Sequence, residues 1–328
     1  MNKLLTIVIP TYNMQDYLRR CLDSLLVEDD TLMSQLEVLV VNDGSKDNSS
    51  AIAHEYEAKY PQTFRVIDKE NGNYGSCVNR GLAEAKGKYI KILDADDWFD
   101  TSEFRRLLNE MKVYDVDMFV ADYQHMDADG HCISIQSYPL PYDKVLNFQD
   151  INSESLYLAM HAIAYSTLLL KDMHYKQTEG ISYTDTEWAA YPLHKVRTMI
   201  YLQCNVYRYM LGREGQTVSD TVSNKNAEHY VKLLKNMVTY ASTIEEKNYG
   251  QSRLEAQIAA MSGIVYRKFL VKQSTNDFSA VLMNDIDAFI KENRPDIYLQ
   301  LDSLVFKKWL PIRYVRSEER RVGKECRS

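Results

Sequence analysis

The stretch Lys88-Tyr89-Ile90-Lys91-Ile92-Leu93-Asp94-Ala95-Asp96-Asp97 decides how the rest of the chain is read. Tyr89, Ile90, Ile92 and Leu93 form a short apolar run of the kind that becomes a buried strand. Asp94, Asp96 and Asp97 follow at once. Carboxylates gathered at a strand end repel one another and lose hydration, so the arrangement calls for a cation. In an open α/β sheet, ligands bind beyond the carboxyl ends of the strands. A hard divalent metal fits there, because it prefers oxygen donors and commonly carries phosphate. The competing reading is a solvated acidic turn that caps a helix over Thr101–Lys112.

Upstream, strand and helix patterns alternate. Leu5–Pro10 reads as a buried strand, and Tyr17, Leu18, Cys21, Leu22, Leu25 and Leu26 recur at helical spacing. Leu36–Val41 is a second strand, followed by Asn42-Asp43-Gly44-Ser45 and a helix cap at Ser45 or Asp47. A helix over Ala51–Tyr60, a strand over Phe64–Asp68 and a third helix reaching Lys86 come next, with Gly87 read as the helix stop. This alternation with short loops predicts a parallel sheet covered by helices on both faces.

Downstream, the alternation loosens. A helix over Ser102–Val113 and a strand near Asp117–Tyr123 lead to a hairpin turn at Asp129-Gly130, with Ile133–Tyr138 returning antiparallel. Ser153–Leu170 is apolar without a clear period, and Gly180–Leu193 reads as a loop running into a helix. Met199–Met210 is strand-like, and Gly212–Ser219 is a loop. Helical patterns then cover Asn226–Lys247, Arg253–Leu270 and Phe278–Lys291. The division expected is an α/β domain at 1–224 and a helical extension at 225–315. The last stretch, Arg316–Ser328, is charged and aperiodic. It reads as a translated sequencing adapter, a non-native tail over 316–328, with a disordered basic tail as the alternative.

Composition narrows the classes. The 328 residues are 45% hydrophobic, enough for a sizeable core. The net charge of −7 argues against nucleic acid as a partner. No apolar run is long enough to span a bilayer, and the first strand pattern starts so early that no signal peptide is expected. The five cysteines lack metal or redox spacing, as in a reduced, cytoplasmic protein.

Four loops carry unusual polar residues at strand ends: Pro10-Thr11-Tyr12-Asn13, Asn42–Asp47, Asn71–Gly75, and Asp94-Ala95-Asp96-Asp97-Trp98. In that order they resemble the inverting family 2 glycosyltransferases with the GT-A fold. The resemblance is strong from the N-terminus to Trp98 and resumes at Tyr183–Trp188 and Gly212–Ser219. It implies an α/β fold, a mixed nucleotide-binding sheet flanked by helices with a C-terminal helical extension.

The same resemblance implies roles. Pro10, Thr11, Tyr12, Asn13, Asp43, Asn71, Gly72, Asp94 and Ala95 would bind a nucleotide-sugar, with Thr11 and Asp43 at the uracil and ribose of a UDP-sugar. Asp96, with Asp94, would ligate Mn²⁺ or Mg²⁺ on the diphosphate. Asp185 would be the base that takes the acceptor proton, against a plain helix-capping role for Thr184 or Asp185. Arg213 and Gln216 would close over the diphosphate, against a surface turn.

The chain departs from the family pattern twice. Thr184 stands where many relatives have an acid, and Val78 stands where many have arginine. Arg80 cannot replace that arginine, since two residues along a helix point elsewhere; Lys69 or Lys91 would supply the positive charge instead. Trp188 and Cys77 read as core residues, and His131, His161 and His194 as structural, unless one completes a metal shell.

The acceptor implied is a saccharide or lipid-linked hydroxyl. Lys307, Lys308, Trp309 and Arg313 allow a peripheral membrane contact at the inner face of the cell membrane, or an ordinary packing helix. The Q-x-x-R-W signature of processive synthases is absent from the sequence. The alternatives are a non-catalytic nucleotide-sugar scaffold and a nucleotidyltransferase, the latter without its Gly-rich phosphate loop.

Overall fold

The computed structural model describes residues 3–153, 156–213, 216, 222, 226–267 and 277–304. The described residues up to 216, with Asn248–Gly250, form one compact unit; the described residues from 222 to 247 and from 251 onward form a second. The boundary expected at Asn224 and the stretch 316–328 lie outside the described residues, as do Lys307, Lys308, Trp309 and Arg313.

The first unit is built on a ten-stranded mixed sheet. Its parallel half comprises β1 (Lys3–Thr11), β2 (Leu36–Asn42), β3 (Phe64–Asp68) and β4 (Gly87–Ile92), in the order β3-β2-β1-β4. All seven residues of β2 are buried, as expected for a parallel strand covered on both faces. Helices α1 (Leu18–Asp23), α2 (Asp30–Gln35), α3 (Ser49–Lys59) and α4 (Asn73–Glu84) make the crossovers. The apolar spacing over Tyr17–Leu26 predicts a longer helix than α1, and α2 has no counterpart in that reading. Asp29 caps α2 by accepting from the Leu32 N–H at 3.0 Å.

Gly87 is not a helix stop. It begins β4, where an added Cβ would lie 2.4 Å from the backbone nitrogen of Thr6 on β1. The glycine is required by close strand approach rather than by a helix cap.

Beyond β4 the sheet turns mixed. The two-residue β5 (Trp98–Phe99) and α5 (Thr101–Val113) lead to β6 (Met118–Met126), and Gly130 at φ +84° turns it into β7 (Cys132–Gln136). The short β8 (Val145–Asn147) pairs with β10 (Thr198–Met210), which runs parallel to β6. Between β4 and β6 lies β9 (Ile163–Ser166), antiparallel to both. The sequence shows only an apolar stretch there, and the inserted antiparallel strand, which that stretch does not reveal, makes the sheet mixed as expected. Two short helices, α6 (Thr167–Asp172) and α7 (Asp185–Ala190), complete the unit.

The second unit is helical, with helices at Ala227–Ser242, Asp277–Asn293 and Pro295–Leu304, and most of Tyr249–Arg267. No helix among the described residues is long and apolar enough to cross a membrane.

Candidate active site

Because β1, β2 and β4 run parallel side by side, their carboxyl ends share one sheet edge. The loops after β1 and β2 are laced together. Ser45 Oγ accepts from the Asn13 N–H (3.0 Å), Asn13 Oδ1 from the Lys46 N–H (2.8 Å), and Ser49 Oγ from the Met14 N–H (2.7 Å). Asn13, at φ 54°, is therefore a tie between loops and does not line the cavity beside them. Asp47, one of the two expected caps, accepts from the N–H groups of Ser49 and Gln15, each at 3.0 Å.

The Asx turn in Asn42–Ser45 belongs to Asn42, whose Oδ1 accepts from the Ser45 N–H at 3.1 Å. Asp43 is thereby left to hold the start of α4. Its Oδ1 accepts from the Gly72 N–H (2.9 Å) and from Lys69 Nζ (2.6 Å), and its Oδ2 from the Asn73 N–H (2.9 Å). Gly72 contributes its backbone here and no cavity surface. Lys69 is engaged in an ion pair with Asp43. Lys91 is buried and donates to the carbonyls of His161 (2.6 Å) and Ile163 (3.1 Å), so neither lysine is an open phosphate contact.

One cavity of about 380 Å³ opens on this edge. Pro10, Thr11, Tyr12, Asp43 and Asn71 line it together with Asp94 and Asp185. Seven residues singled out from the sequence thus share one space. Ala95 is buried and, like Asp96, Arg213 and Gln216, is not among the lining residues. Arg213 Nε donates to Asp96 Oδ2 at 2.8 Å, and its guanidinium lies over the Tyr17 ring at 5.4 Å. Gln216 holds the same loop, accepting from the Gly212 N–H (3.1 Å) and donating to the Met210 carbonyl (2.7 Å).

The acidic cluster is organised by tyrosines that the sequence does not announce. Tyr74 donates to Asp94 Oδ1 at 2.8 Å, and Tyr207 donates to Asp97 Oδ2 at 2.7 Å. The Met210 N–H donates to Asp97 Oδ1 at 2.8 Å, which stitches the loop to β10. Burial, then repulsion from Asp96, pushes the Asp94 carboxyl up to about 7. The same two causes hold Asp97 well above the usual carboxylate range.

Ligand atoms of Asp94, Asp97 and His161 all lie within 4.8 Å of one another. The Nδ1 atom of His161 is buried with no hydrogen-bond partner. Burial, then the Lys91 charge, lowers this imidazole to about 3, so it is neutral and able to ligate. Two carboxylates and a neutral imidazole form a donor set that fits a divalent cation. The geometry groups Asp94 with Asp97 and His161, while Asp96 is held by Arg213.

Asp185 stands at the first turn of α7. Burial raises its carboxyl, and the N–H groups of Thr186 and of its own residue oppose the shift. The preceding Thr184 makes no cap with its side chain; its Oγ1 accepts from Gln177 Nε2 at 2.9 Å. Glu187 is fully buried and accepts from the Thr178 N–H (2.6 Å) and Oγ1 (2.7 Å). Helix α4 anchors the same segment. Asn79 exchanges hydrogen bonds with the Gln177 backbone, both at 2.8 Å, and Gly75 leaves no room for a Cβ beneath the Thr178 carbonyl. Trp188 is a core residue, between Tyr165 and Tyr175. Val78 is buried, and Arg80 pairs with Glu84 on an exposed helix face. Cys77 is buried against the cavity, its thiol pushed up to about 12 by burial.

A model of glycosyl transferase family 2 matches residues 6–173, just over half of the chain. The chain belongs to glycosyl transferase family 2. Among its curated relatives, this family 2 chain is 30% identical over 152 residues to the glycosyltransferase GlyA of Streptococcus pneumoniae, covering 45% of this chain and 21% of that one. It is 35% identical over 129 residues to the uncharacterized glycosyltransferase EpsJ of Bacillus subtilis, covering 39% and 36%. The chain thus spans about a fifth of the first relative and about a third of the second. Among solved structures, S. aureus TarS in complex with UDP-GlcNAc superposes with a TM-score of 0.67 at 19% identity, covering 92% of this chain and 84% of that one. The family 2 chain therefore has the GT-A fold, a mixed sheet flanked by helices and followed by a helical region.

Proposed function

We propose that this family 2 glycosyltransferase moves a hexosyl group from a UDP-sugar to a hydroxyl of a saccharide or lipid-linked acceptor, with inversion, in the synthesis of a surface polysaccharide or glycolipid. The observation that carries the reading is the shared cavity. Thr11, Asp43 and Asn71 line it together with Asp94 and Asp185. The fold shared with TarS, solved with UDP-GlcNAc, supports uridine as the nucleotide.

In this reading, Thr11 and Asp43 orient the nucleoside, and the exposed Tyr12 ring offers it a flat face. Asp94, with Asp97 and His161, would hold Mn²⁺ or Mg²⁺, and Asp96 would join once released from Arg213. The ion supplies Lewis-acid neutralisation of charge on the departing diphosphate. Asp185 accepts the proton of the acceptor hydroxyl as that oxygen bonds to the anomeric carbon. The bond from that carbon to the phosphate oxygen breaks with its electron pair, and UDP leaves. The raised carboxyl of Asp185 suits a base, because a carboxylate that holds its proton more readily also accepts one more readily. Arg213, freed from Asp96, would turn to the diphosphate. Catalysis is assigned to the first unit, acting in the cytoplasm or against the inner face of the membrane.

The test is calorimetric titration of UDP with and without Mn²⁺, followed by a panel of UDP-sugars scored for slow hydrolysis. Metal-dependent UDP binding with hydrolysis of one sugar is expected. A folded protein that binds no UDP in either condition would sink the reading. A scaffold would bind UDP-sugars and hydrolyse none.

A further inference from the structure

Two carboxylates and a nucleotide end account for only part of the cavity wall. Its other constituents include Tyr209 and His161, whose rings stack at 4.3 Å between centroids. Tyr209 lies on β10 opposite His125 on β6, and His125 lies opposite Ser134 on β7. Residues directly opposite on paired strands face the same side of the sheet. The contacts agree. The His125 and Tyr209 rings are 5.6 Å apart, and His125 Nδ1 is 2.9 Å from Ser134 Oγ. Gln136, two residues along β7, shares that face by alternation. The strip therefore starts at the cavity wall and crosses three strands, about 10 Å.

Its chemistry is that of a carbohydrate platform. Flat rings meet the C–H face of a pyranose, and hydroxyl, amide and imidazole groups at the edge exchange hydrogen bonds with its hydroxyls. Tyr209 and His125 are half-buried and Ser134 is exposed, so the strip is both ordered and reachable. The apolar side chains of β7, Ile133 and Ile135, lie on the opposite face of the strand and are exposed there. A lipid chain would want those residues on the strip, so the occupant is sugar rather than acyl chain. Neither β6 nor β7 contributes a residue to the cavity that holds Thr11 and Asp43, so beyond Tyr209, which lines that cavity, the strip leaves the donor space.

We infer that this strip, Tyr209–His125–Ser134–Gln136, is the acceptor subsite and binds a pyranose-containing saccharide that extends out of the cavity past Asp185. The inference rests on the glycosyltransferase reading above and adds the class of acceptor and the residues that hold it.

Saturation-transfer NMR tests it with UDP and Mn²⁺ present. The probes are the methyl glycosides of glucose, galactose, mannose and N-acetylglucosamine, and β-linked disaccharides of them. At least one probe is expected to receive saturation on its pyranose ring protons. Tyr209→Leu and His125→Ala should each weaken that probe about tenfold. Tyr209→Phe, which keeps the ring, should hold it within about twofold. Calorimetric UDP affinity, unchanged by His125→Ala, shows that the donor site is intact. The inference fails if no probe binds to protein that binds UDP, if Tyr209→Leu and His125→Ala leave probe affinity unchanged, or if UDP affinity falls in step with it. Wild-type protein that binds no UDP overturns the glycosyltransferase reading itself, and the strip with it.

Discussion

Arg213 Nε lies 2.8 Å from Asp96 Oδ2, and both side chains are mostly buried, at 15% and 11% exposure. The arginine thus occupies the aspartate that the sequence offers as a metal ligand. In the proposed reading, loading a metal through Asp96 would require that pair to open, so Arg213 and the cation would compete for one carboxylate. Replacing Arg213 by alanine removes the competitor. Releasing a pair worth about 1 kcal/mol tightens Mn²⁺ roughly fivefold in the absence of UDP. Calorimetry of Mn²⁺ on wild type and Arg213→Ala reads this directly, and equal affinities would mean that Asp96 takes no part in metal binding.

Asp185 is expected to act on the acceptor proton and not on the nucleotide. Asp185→Asn keeps the shape of the side chain and removes its basicity. Transfer should fall about a thousandfold, with UDP affinity held within about twofold. A variant that retains turnover would place the base elsewhere in the cavity.

Gly75 is where α4 meets the segment that carries Asp185. A Cβ on residue 75 would sit 1.9 Å from the Thr178 carbonyl oxygen, which is backbone and cannot swing aside. Gly75→Ala must displace residues 177–184, at a cost of about 1–3 kcal/mol. A fall in melting temperature of roughly 2–10 °C is expected, together with a loss of turnover larger than any loss of UDP affinity. An alanine variant with wild-type melting and turnover would show that this contact positions nothing.

His54 predicts a pH dependence of stability away from the cavity. Its Nε2 is 2.8 Å from Asp68 Oδ2 and its Nδ1 is 2.8 Å from Glu57 Oε2. The hydrogen bond to Asp68, then that to Glu57, raises the imidazole above its ordinary 6.5. A raised folded value means that the protonated form favours folding. The contribution is complete below about pH 6.5 and fades as pH rises through the higher folded value. Wild type should melt above His54→Gln near pH 6, and the gap should close by about pH 9. A gap that widened with pH would reverse the assignment. The effect is small, because the imidazole is half-exposed.

The sequence by itself determined the parallel half of the sheet and the loops that end its strands. Those features are local: continuous apolar runs, turn residues, and acids set directly after a strand. Those loops carry the resemblance to family 2, and the resemblance named the seven cavity residues Pro10, Thr11, Tyr12, Asp43, Asn71, Asp94 and Asp185. Only the tertiary structure decided the rest. Antiparallel β9 was hidden because a short apolar run has no period that separates strand from helix. Gly87, Gly75, Asn79 and Glu187 act through partners far away in the chain or on another element, so no local pattern marks them. The grouping of Asp97 with Asp94 and His161, and the pairing of Asp96 with Arg213, depend on how β9 and β10 come to lie beside the loop after β4. Adjacent aspartates in a turn point in different directions, and which one meets a tyrosine, a histidine or an arginine is settled by packing between strands distant in sequence.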